Sequence, residues 1–145
     1  VVRVLVADDH SVVRRGLRRL LELAGITVVG EAADGLEALH LSIQYRPDVL
    51  VLDIEMPKLN GIEVAARLRA LNQRPAVVIL SAHEEESYVM RAVEMGVRAY
   101  LVKSAADEDL VPAIYAVADG RCFFSPSVTA RILNGCLHQA LRPLH

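Results

Sequence analysis

The sequence predicts an α/β protein in which a parallel sheet lies between two layers of helices. Short runs of aliphatic residues alternate with longer amphipathic segments along the chain, giving five strands and five helices. Strands that alternate with helices in this way form parallel βαβ units. With 145 residues, the chain is long enough for one domain with a proper core. The alternation therefore indicates a three-layer sandwich.

Each predicted strand is a short apolar run that a polar or turn residue ends. Val49-Leu50-Val51-Leu52 is the clearest of them, because both of its faces are apolar, as expected of a strand buried on both sides. Proline at position 57 prevents that run from continuing. In chain order, the strands are predicted at residues 2–7, 26–32, 49–53, 76–80 and 99–102.

The first two helices are predicted from their terminal residues and their apolar spacing. Ser11 is expected to be the N-cap of a helix over 12–24, and Gly25 suits its end. Asp34-Gly35 begins the second helix, and Pro47 ends it. Helical spacing predicts which side chains face the core: Val13, Leu17, Leu20 and Leu21 in the first helix, and Leu36, Leu39 and Ile43 in the second.

The other three helices follow from similar signals. Asn60-Gly61 begins the third, whose expected core residues are Ile62, Val64, Ala65 and Leu68. Glutamates at 84–86 suit the positive end of the fourth helix, and Gly96 ends it. The fifth is predicted over 107–118, but it contains Pro112, which costs about 3 kcal/mol in a helix interior. This helix therefore either starts later than residue 107 or bends at the proline.

Composition excludes several classes of protein. Apolar residues make up 53% of the chain, which excludes a disordered chain, and the net charge of -2 gives no general attraction to nucleic acid. No apolar run approaches the roughly 18 residues of a membrane span, and the chain opens directly as a strand rather than as a signal peptide. Cys122 and Cys136 lie outside any metal-ligand spacing. We interpret them as reduced thiols, which predicts a cytoplasmic protein.

The polar residues at the strand ends indicate a functional site. Strand one ends in Asp8 and Asp9, strand three in Asp53, strand four in Ser81 and strand five in Lys103. Because parallel strands end at one edge of the sheet, these side chains are expected to converge. Three close carboxylates favour a hard divalent cation such as Mg²⁺, whereas a lysine and a hydroxyl suit an anion. Together these groups are typical of phosphoryl transfer.

The ordered set of motifs resembles the response-regulator receiver domain of bacterial two-component systems, over about residues 2–120. The motifs that carry the resemblance are Asp8-Asp9, Asp53, Met56-Pro57, Asn60-Gly61, Ser81-Ala82 and Lys103. Finer features resemble the NarL/FixJ subfamily, whose members carry a C-terminal helix-turn-helix of the LuxR type. Those features are Asp8-Asp9-His10, Val29-Gly30-Glu31-Ala32, Asn60-Gly61-Ile62-Glu63, and Gly120 followed by Phe123-Phe124-Ser125-Pro126.

The resemblance implies a fold and a division of the chain. The fold is flavodoxin-like, with five strands in the order 2-1-3-4-5 and helices on both faces. Residues 1–120 would form the receiver domain, and residues 121–145 a linker or tail that is partly helical. About 25 residues are too few for a helix-turn-helix with its own core. The resemblance thus implies that DNA is bound only through a C-terminal domain absent from this sequence. The alternative is a stand-alone receiver that acts through protein–protein contacts.

The resemblance also assigns chemical roles. Asp53 would be the phosphoacceptor, taking a phosphoryl group from a phosphohistidine of a sensor histidine kinase. Asp9, Asp53 and the backbone carbonyl of Glu55 would bind Mg²⁺ directly, and Asp8 would act mostly through water. Such a protein would catalyse its own phosphorylation and its own slow dephosphorylation, without being an enzyme in the usual sense.

Other residues would respond to the phosphoryl group. Lys103 would hold one phosphoryl oxygen, Ser81 would move to hydrogen-bond another, and Tyr100 would rotate inward behind Ser81. A two-state change of this kind, which a homodimer would accompany, is expected to control the output. Glu55 and His83 lie two residues beyond Asp53 and Ser81, where the family tunes the phosphoryl lifetime. The alternative for these two is that they are exposed polar residues.

Several residues leave two interpretations open. His10 is expected at the rim of the pocket, and its alternative role is that of a metal ligand. The arginines of the first helix form either a solvated face or a docking surface for the kinase: Arg14, Arg15, Arg18 and Arg19. Ser104 follows Lys103 where many members of the family have proline, so the geometry of that peptide bond stays open.

The tail after Gly120 has its own pattern. Ser125-Pro126 is typical of an N-cap followed by proline at the first helical position. Asn134-Gly135 is a candidate end of that helix. A partial apolar stripe would pack on the domain or pair with a second chain: Val128, Ile132, Leu133 and Leu137.

Two other functions fit a similar sheet. An aspartate-nucleophile phosphohydrolase typically carries a second Asp two residues after the nucleophile, where this chain has Glu55. A flavin or nucleotide binder would need a glycine-rich loop after strand one, and the sequence there is Asp8-Asp9-His10. Both fit less well than the signalling module.

Overall fold

Strands and helices alternate along the chain as the sequence predicts. The computed structural model of the chain describes residues 1–73 and 75–140. The strands are β1 (Arg3–Ala7), β2 (Thr27–Ala32), β3 (Val49–Asp53), β4 (Ala76–Ser81), β5 (Ala99–Val102) and β6 (Phe123–Phe124). The helices are α1 (Ser11–Leu23), α2 (Gly35–Tyr45), α3 (Gly61–Ala70), α4 (Glu86–Glu94), α5 (Ala106–Ala118) and α6 (Pro126–Ala140).

The sheet has the predicted order and one additional strand. Its order is β2-β1-β3-β4-β5-β6, and every neighbouring pair is parallel. The first five strands confirm the predicted fold. The sixth, which the five-strand prediction lacks, pairs Phe123 with Ala99 and Phe124 with Tyr100. It is held at its start by the Phe123 amide, which donates to the Arg98 carbonyl at 2.9 Å.

Two apolar cores lie on opposite faces of the sheet. Leu50 and Leu52 face the core beneath α2, α3 and α4, whereas Val49 and Val51 face the core beneath α1 and α5. All four side chains are 0% exposed. The prediction that β3 is buried on both faces is therefore correct, and it places Asp53, the next residue, at the edge of a rigid element.

Three predicted core positions are wrong. Val13, Leu36 and Ile43 are 42%, 37% and 39% exposed. In α2 the inward side instead passes through Gly35, Ala38, Leu39 and Ser42. The cause is a close approach, since a Cβ at Gly35 would lie 1.9 Å from the carbonyl oxygen of Leu59. Gly35 thereby fixes the rotation of α2 about its axis.

The helix ends show which of the predicted capping residues act as N-caps. The N-cap of α1 is His10 rather than Ser11, and its side chain makes no capping hydrogen bond. In α3, by contrast, Asn60 and Glu63 form a reciprocal capping box, with the Glu63 amide donating to Asn60 Oδ1 at 2.8 Å. The four predicted core residues of α3 are all buried, which confirms that assignment.

Helix α5 tolerates the proline in its interior. It begins at Ala106, after a 3₁₀ turn over Lys103–Ala105, so the alternative of a later start is wrong. Pro112 lies inside the helix, which buries five side chains against the sheet: Ala106, Leu110, Ala113, Ile114 and Val117. Burial of that face offsets the cost of the missing hydrogen bond. The Lys103-Ser104 peptide bond is trans, as are the others in the described ranges.

The tail folds back on the domain through α6. The helix continues through Asn134-Gly135, so the predicted end there is wrong. Val128 is 0% exposed, and a Cβ at Gly135 would lie 2.3 Å from Met90 Sδ of α4. Leu133 and Leu137 are exposed, so packing on the domain holds only for Val128 and the half-buried Ile132, and pairing with a second chain stays a prediction. The predicted domain boundary at residue 120 stays a prediction.

Among residues 1–73 and 75–140, no helix combines the length and the apolar character that a membrane crossing needs.

Candidate functional site

Asp53 ends the central strand and is buried beneath the pocket that it helps to form. Only 3% of the residue is exposed. The backbone N–H of Glu55 donates to its Oδ1 at 3.1 Å, and Lys103 Nζ lies 2.7 Å from its Oδ2. Both carboxylate oxygens are thus fixed in direction by groups from two different segments. The predicted convergence of the β3 and β5 ends is observed.

Three further groups from the end of β1 complete an acidic cluster. One ligand atom each from Asp8, Asp9, His10 and Asp53 lies within 4.8 Å of the others. Asp8 is 1% exposed, and its Oδ2 accepts no hydrogen bond from any described residue. Carboxylates this close repel one another, and the single ammonium group of Lys103 balances only part of their charge. The residues present therefore fit the binding of a divalent cation by oxygen ligands.

Lys103 supplies the positive charge that faces this cluster. Its Nζ lies 3.4 Å from Asp8 Oδ2, in addition to its contact with Asp53. Burial alone would lower the pKa of Lys103, but the hydrogen bond and the negative charge of Asp53, together with the charge of Asp8, raise it. Lys103 is therefore a permanent cation at neutral pH, placed where an anion bound to Asp53 would meet it.

The pKa of Asp53 is also raised. Burial is the main cause, and the nearby charge of Asp8 adds to it. The hydrogen bond and charge of Lys103 and the Glu55 amide oppose the shift without cancelling it. The Asp53 carboxyl is therefore harder to ionise in this environment than in water, a shift that is common at functional sites.

Ser81 and Tyr100 lie behind the pocket in fixed positions. Ser81 is 1% exposed, and its Oγ accepts a hydrogen bond from the His83 amide at 2.9 Å. Tyr100 is 0% exposed, and its hydroxyl donates to the His83 carbonyl at 2.6 Å. The phenol is thus already turned inward in this structure, and burial raises its pKa. Both side chains hold the segment that leads from β4 to α4.

His83 contacts Glu55 and Tyr88, two residues that line the cleft beside Asp9. Its Nε2 contacts Glu55 Oε1, and its ring stacks on Tyr88 with centroids 4.8 Å apart. The contact with Glu55 is the main reason why the pKa of His83 is raised. The structure thus joins Glu55 and His83, which the sequence singled out separately, and it ties both to the first turns of α4.

Removal of the Tyr100 hydroxyl is expected to loosen this segment. In Tyr100→Phe the His83 carbonyl loses its donor, so the free energy of unfolding should fall by about 1 kcal/mol. Tyr115→Phe is the matched control, because that hydroxyl makes a longer, exposed bond of 3.3 Å to Ala24. Urea denaturation of both variants measures the difference. Equal effects would contradict a special role of the Tyr100 bond.

Arg14 supports the pocket in a way that sequence reasoning missed. Its Nη1 donates to the Asp8 carbonyl at 2.7 Å, and its Nε lies 3.1 Å from Glu31 Oε1. Arg18 also pairs with Glu31, at 2.9 Å, and is the main reason why the pKa of Glu31 is lowered. The sequence feature that could have predicted these contacts is Glu31, an acidic residue near the end of β2, which is the strand beside β1. Half of the arginine cluster of α1 is therefore engaged within the domain.

Cavity size and pocket chemistry point to different ends of the sheet. A cleft of about 430 Å³ opens beside Asp9, Glu55 and Arg91. A larger one, of about 870 Å³, lies at the opposite edge, beside Asp48 and Pro75. We assign function to the smaller cleft, because it adjoins the buried carboxylates and lies at the carboxyl ends of the strands, where ligands bind in open parallel sheets.

The fold and the pocket define a class of protein: a parallel α/β domain whose acidic pocket, faced by a lysine, is of the kind that binds Mg²⁺. The chain belongs to the response regulator receiver domain family, whose sequence model matches residues 4–115.

Similar proteins agree with this assignment. The chain is 39% identical over 144 residues to a probable transcriptional regulatory protein, NarL, of Mycobacterium tuberculosis, covering 99% of this chain and 66% of that protein. A two-component response regulator of the LuxR family from Aurantimonas sp. SI85-9A1 superposes with a TM-score of 0.87 and 35% identity, over 94% of this chain and 98% of that one. The receiver domain of the M. tuberculosis NarL gives a TM-score of 0.80 and 41% identity, over 83% and 98%.

The chain spans 66% or less of the length of the curated relatives considered, and 59% of the nitrate/nitrite response regulator NarL of Escherichia coli. The similarity therefore concerns the receiver part of longer regulators.

Proposed function

We propose that the chain is a phosphorylation-dependent switch in which Asp53 is the phosphoacceptor. The observation that carries the proposal is the setting of Asp53: a buried carboxylate whose Oδ2 contacts Lys103 Nζ at 2.7 Å, beside the buried Asp8 and the more open Asp9. No other carboxylate of the cluster combines an anion-binding partner with a place at the end of the central strand.

The phosphoryl donor in this proposal is a phosphohistidine of a sensor histidine kinase. One oxygen of Asp53 attacks the phosphorus, and the phosphorus–nitrogen bond breaks with its electron pair left on the imidazole ring. The new acyl phosphate keeps the phosphoryl group on Asp53. Lys103 then leaves its ion pair with the carboxylate and holds a phosphoryl oxygen.

Mg²⁺ is the proposed cofactor. Asp9, Asp53 and the backbone carbonyl of Glu55 would hold it directly, and Asp8 mostly through water. The bound ion would supply positive charge to the carboxylates and to the group in transfer. The observation that supports the fit is the cluster of carboxylates, whose negative charge the single ammonium group of Lys103 offsets only in part.

The response to phosphorylation begins at Ser81 in this proposal. Its hydroxyl, which now accepts from the His83 amide, turns to donate to a phosphoryl oxygen. That exchange releases the hydrogen bond between Ser81 and the segment that joins β4 to α4. Tyr100 holds the same segment through the His83 carbonyl. A local charge change thus biases the position of α4 and so the surface offered to a partner or to a second copy.

The test is labelling with a small donor, acetyl phosphate. Wild-type protein should gain the mass of one phosphoryl group in the presence of Mg²⁺ and none in the presence of a chelator. Asp9→Asn should lower the labelling rate at least 10-fold, because it removes a proposed ligand. Labelling that is equal with and without Mg²⁺ would contradict the proposal. Release of many equivalents of phosphate per protein would indicate a phosphohydrolase instead of a switch.

The proposed output of the full-length protein is transcription, since two longer relatives are named as transcriptional regulatory proteins. DNA would be contacted by a C-terminal helix-turn-helix outside this sequence, and the site of action would be the cytoplasm. The residues that follow His145 in the gene test this directly. A helix-turn-helix there supports the proposal, and its absence favours a stand-alone receiver.

A further inference from the structure

Helix α6 packs along one side of α4. Gly135 is buried at the closest approach, where a Cβ would lie 2.3 Å from Met90 Sδ. Two polar pairs lie one turn to either side of Met90 along α4: His138 Nδ1 with Glu86 Oε2 at 3.2 Å, and Gln139 Nε2 with Glu94 Oε1 at 3.1 Å. Residues four positions apart share one side of a helix, so these contacts define the face of α4 that α6 covers.

The start of α6 is attached to the edge of the sheet. The helix begins at Pro126, two residues after β6, and β6 pairs with β5. The Val128 amide donates to Ser125 Oγ at 3.3 Å, and the Val128 side chain is 0% exposed within the core that also contains Tyr100. The first turn of α6 is therefore fixed at the sheet edge, whereas its later turns contact α4.

The contact between those later turns and α4 is a weak one. At the closest approach α6 supplies a glycine, which buries no side chain, while Leu133 and Leu137 of α6 remain exposed. Glu86 Oε1 is buried and accepts no hydrogen bond from the part of the chain that the structure describes, which costs stability. The His138 side chain is 70% exposed, so its pair with Glu86 contributes little. Such a contact can open at a small cost in free energy.

Glu86 joins this contact to the segment that Ser81 and Tyr100 hold. It is the first residue of α4 and lies three residues after His83. The His83 amide donates to Ser81 Oγ, and the His83 carbonyl accepts from the Tyr100 hydroxyl. A change in the hydrogen bond of Ser81 therefore acts on the first turn of α4, where His138 of α6 contacts Glu86.

We propose that α6 is an autoinhibitory strap, which holds α4 in its resting position and separates from it when Asp53 is phosphorylated. The inference rests on the proposed function, because phosphorylation of Asp53 is the signal that moves α4. Since the start of α6 stays with the sheet, a shift of α4 cannot keep the later contacts. Separation uncovers the side of α4 that carries Met90, and that side then becomes available to a partner.

Thermodynamic linkage gives the strap a measurable effect at Asp53. If phosphorylation opens the contact between α6 and α4, weakening that contact must also favour the phosphorylated state. Beryllium fluoride is a suitable probe, because with Mg²⁺ it adds reversibly to a carboxylate as a mimic of the phosphoryl group. A variant of α6, distant in sequence from Asp53, should then bind beryllium fluoride more tightly than the wild type.

The test is titration calorimetry of the whole chain with beryllium fluoride at saturating Mg²⁺. Gly135→Val inserts a branched side chain against Met90 and should lower the dissociation constant about fivefold or more. Asn134→Val is the matched control, because it introduces the same side chain at an exposed position of the same helix. Its dissociation constant should stay within about twofold of the wild-type value.

Gln139→Glu is a second variant, and it adds no bulk. It replaces the amide that donates to Glu94 with a carboxylate, so that like charges oppose each other across the contact. The dissociation constant of beryllium fluoride should again fall, by a smaller factor than in Gly135→Val. Asn134→Asp makes the corresponding change from amide to carboxylate at an exposed position and should have no effect.

Hydrogen–deuterium exchange of peptides within residues 126–140 reports on the strap itself. Beryllium fluoride should speed exchange there in the wild type, and Gly135→Val should show the faster exchange without it. Unchanged beryllium fluoride affinity in both Gly135→Val and Gln139→Glu would overturn the proposal. So would unchanged exchange in a wild type that binds beryllium fluoride, an outcome that leaves the proposed function standing. A wild type that does not bind beryllium fluoride would contradict the proposed function itself, and the strap with it.

Discussion

Asp53→Asn is expected to abolish labelling by acetyl phosphate and, at the same time, to make the domain more stable. Loss of labelling follows because the amide that replaces the carboxylate is a poor nucleophile. Intact mass spectrometry after incubation with acetyl phosphate and Mg²⁺ measures it, and the labelled fraction should fall below detection.

The gain in stability follows from the direction of the pKa shift. A group whose pKa is raised in the folded state contributes most at a pH below its unfolded value, and that contribution is lost as the pH rises through the folded value. At neutral pH, ionised Asp53 therefore costs stability, and the uncharged amide removes the cost. The melting temperature at pH 7 should rise by about 2 °C or more. The gain should shrink as the pH falls below the folded pKa.

Asp119→Asn provides the matched control. Asp119 is an exposed carboxylate beyond α5, with 73% of its side chain in solvent. That variant should label like the wild type and melt at the same temperature within error. A labelled Asp53→Asn protein, or one that melts clearly below the wild type at pH 7, would refute the reasoning about this site.

Gly35→Ala is expected to be among the most damaging single changes in the chain. A Cβ at this position would lie 1.9 Å from the Leu59 carbonyl oxygen and 2.7 Å from Leu59 Cβ. Backbone cannot yield as a flexible side chain can, so either α2 or the loop after β3 must move. We expect a loss of about 3 kcal/mol or more in the free energy of unfolding, measured by urea denaturation.

Gly16→Ala is the control for the chemical change itself. Gly16 lies within α1, and a Cβ there would meet nothing within 4 Å. Alanine at that position should raise the free energy of unfolding by about 0.5–1 kcal/mol, because it restricts the unfolded chain. If both variants shift stability in the same direction, the close approach at Gly35 does not govern the packing of α2.

Local sequence was sufficient to predict the strands and the meeting of the polar side chains at their ends. An apolar run such as Val49–Asp53 is expected to form a strand that is buried on both faces. The parallel arrangement of the sheet then brings the polar end of this strand beside the polar ends of β1 and β5. The meeting of Asp53 with Asp8 and Lys103 therefore followed from alternation and from strand ends. Their mutual distances, and the raised pKa of Asp53, required the three-dimensional structure.

The remaining errors arise where distant contacts override local preference. The rotation of α2 depends on Leu59, 24 positions beyond Gly35 in the sequence. Gly135 looked like a helix end, because glycine costs about 1 kcal/mol inside a helix. It stays helical since it allows α6 to approach Met90. The two residues of β6 are too few to show any periodicity.

The balance of charge in the pocket has a consequence for how partners arrive. Three carboxylates face one ammonium group, so without a cation the cleft would repel the phosphorylated partner that we propose. A bound divalent ion removes that repulsion over distances of about 10 Å at 0.1 M salt. Cation loading would then act on the speed of encounter as well as on the chemistry, and the association rate would depend on ionic strength more strongly in the cation-free state than in the loaded one.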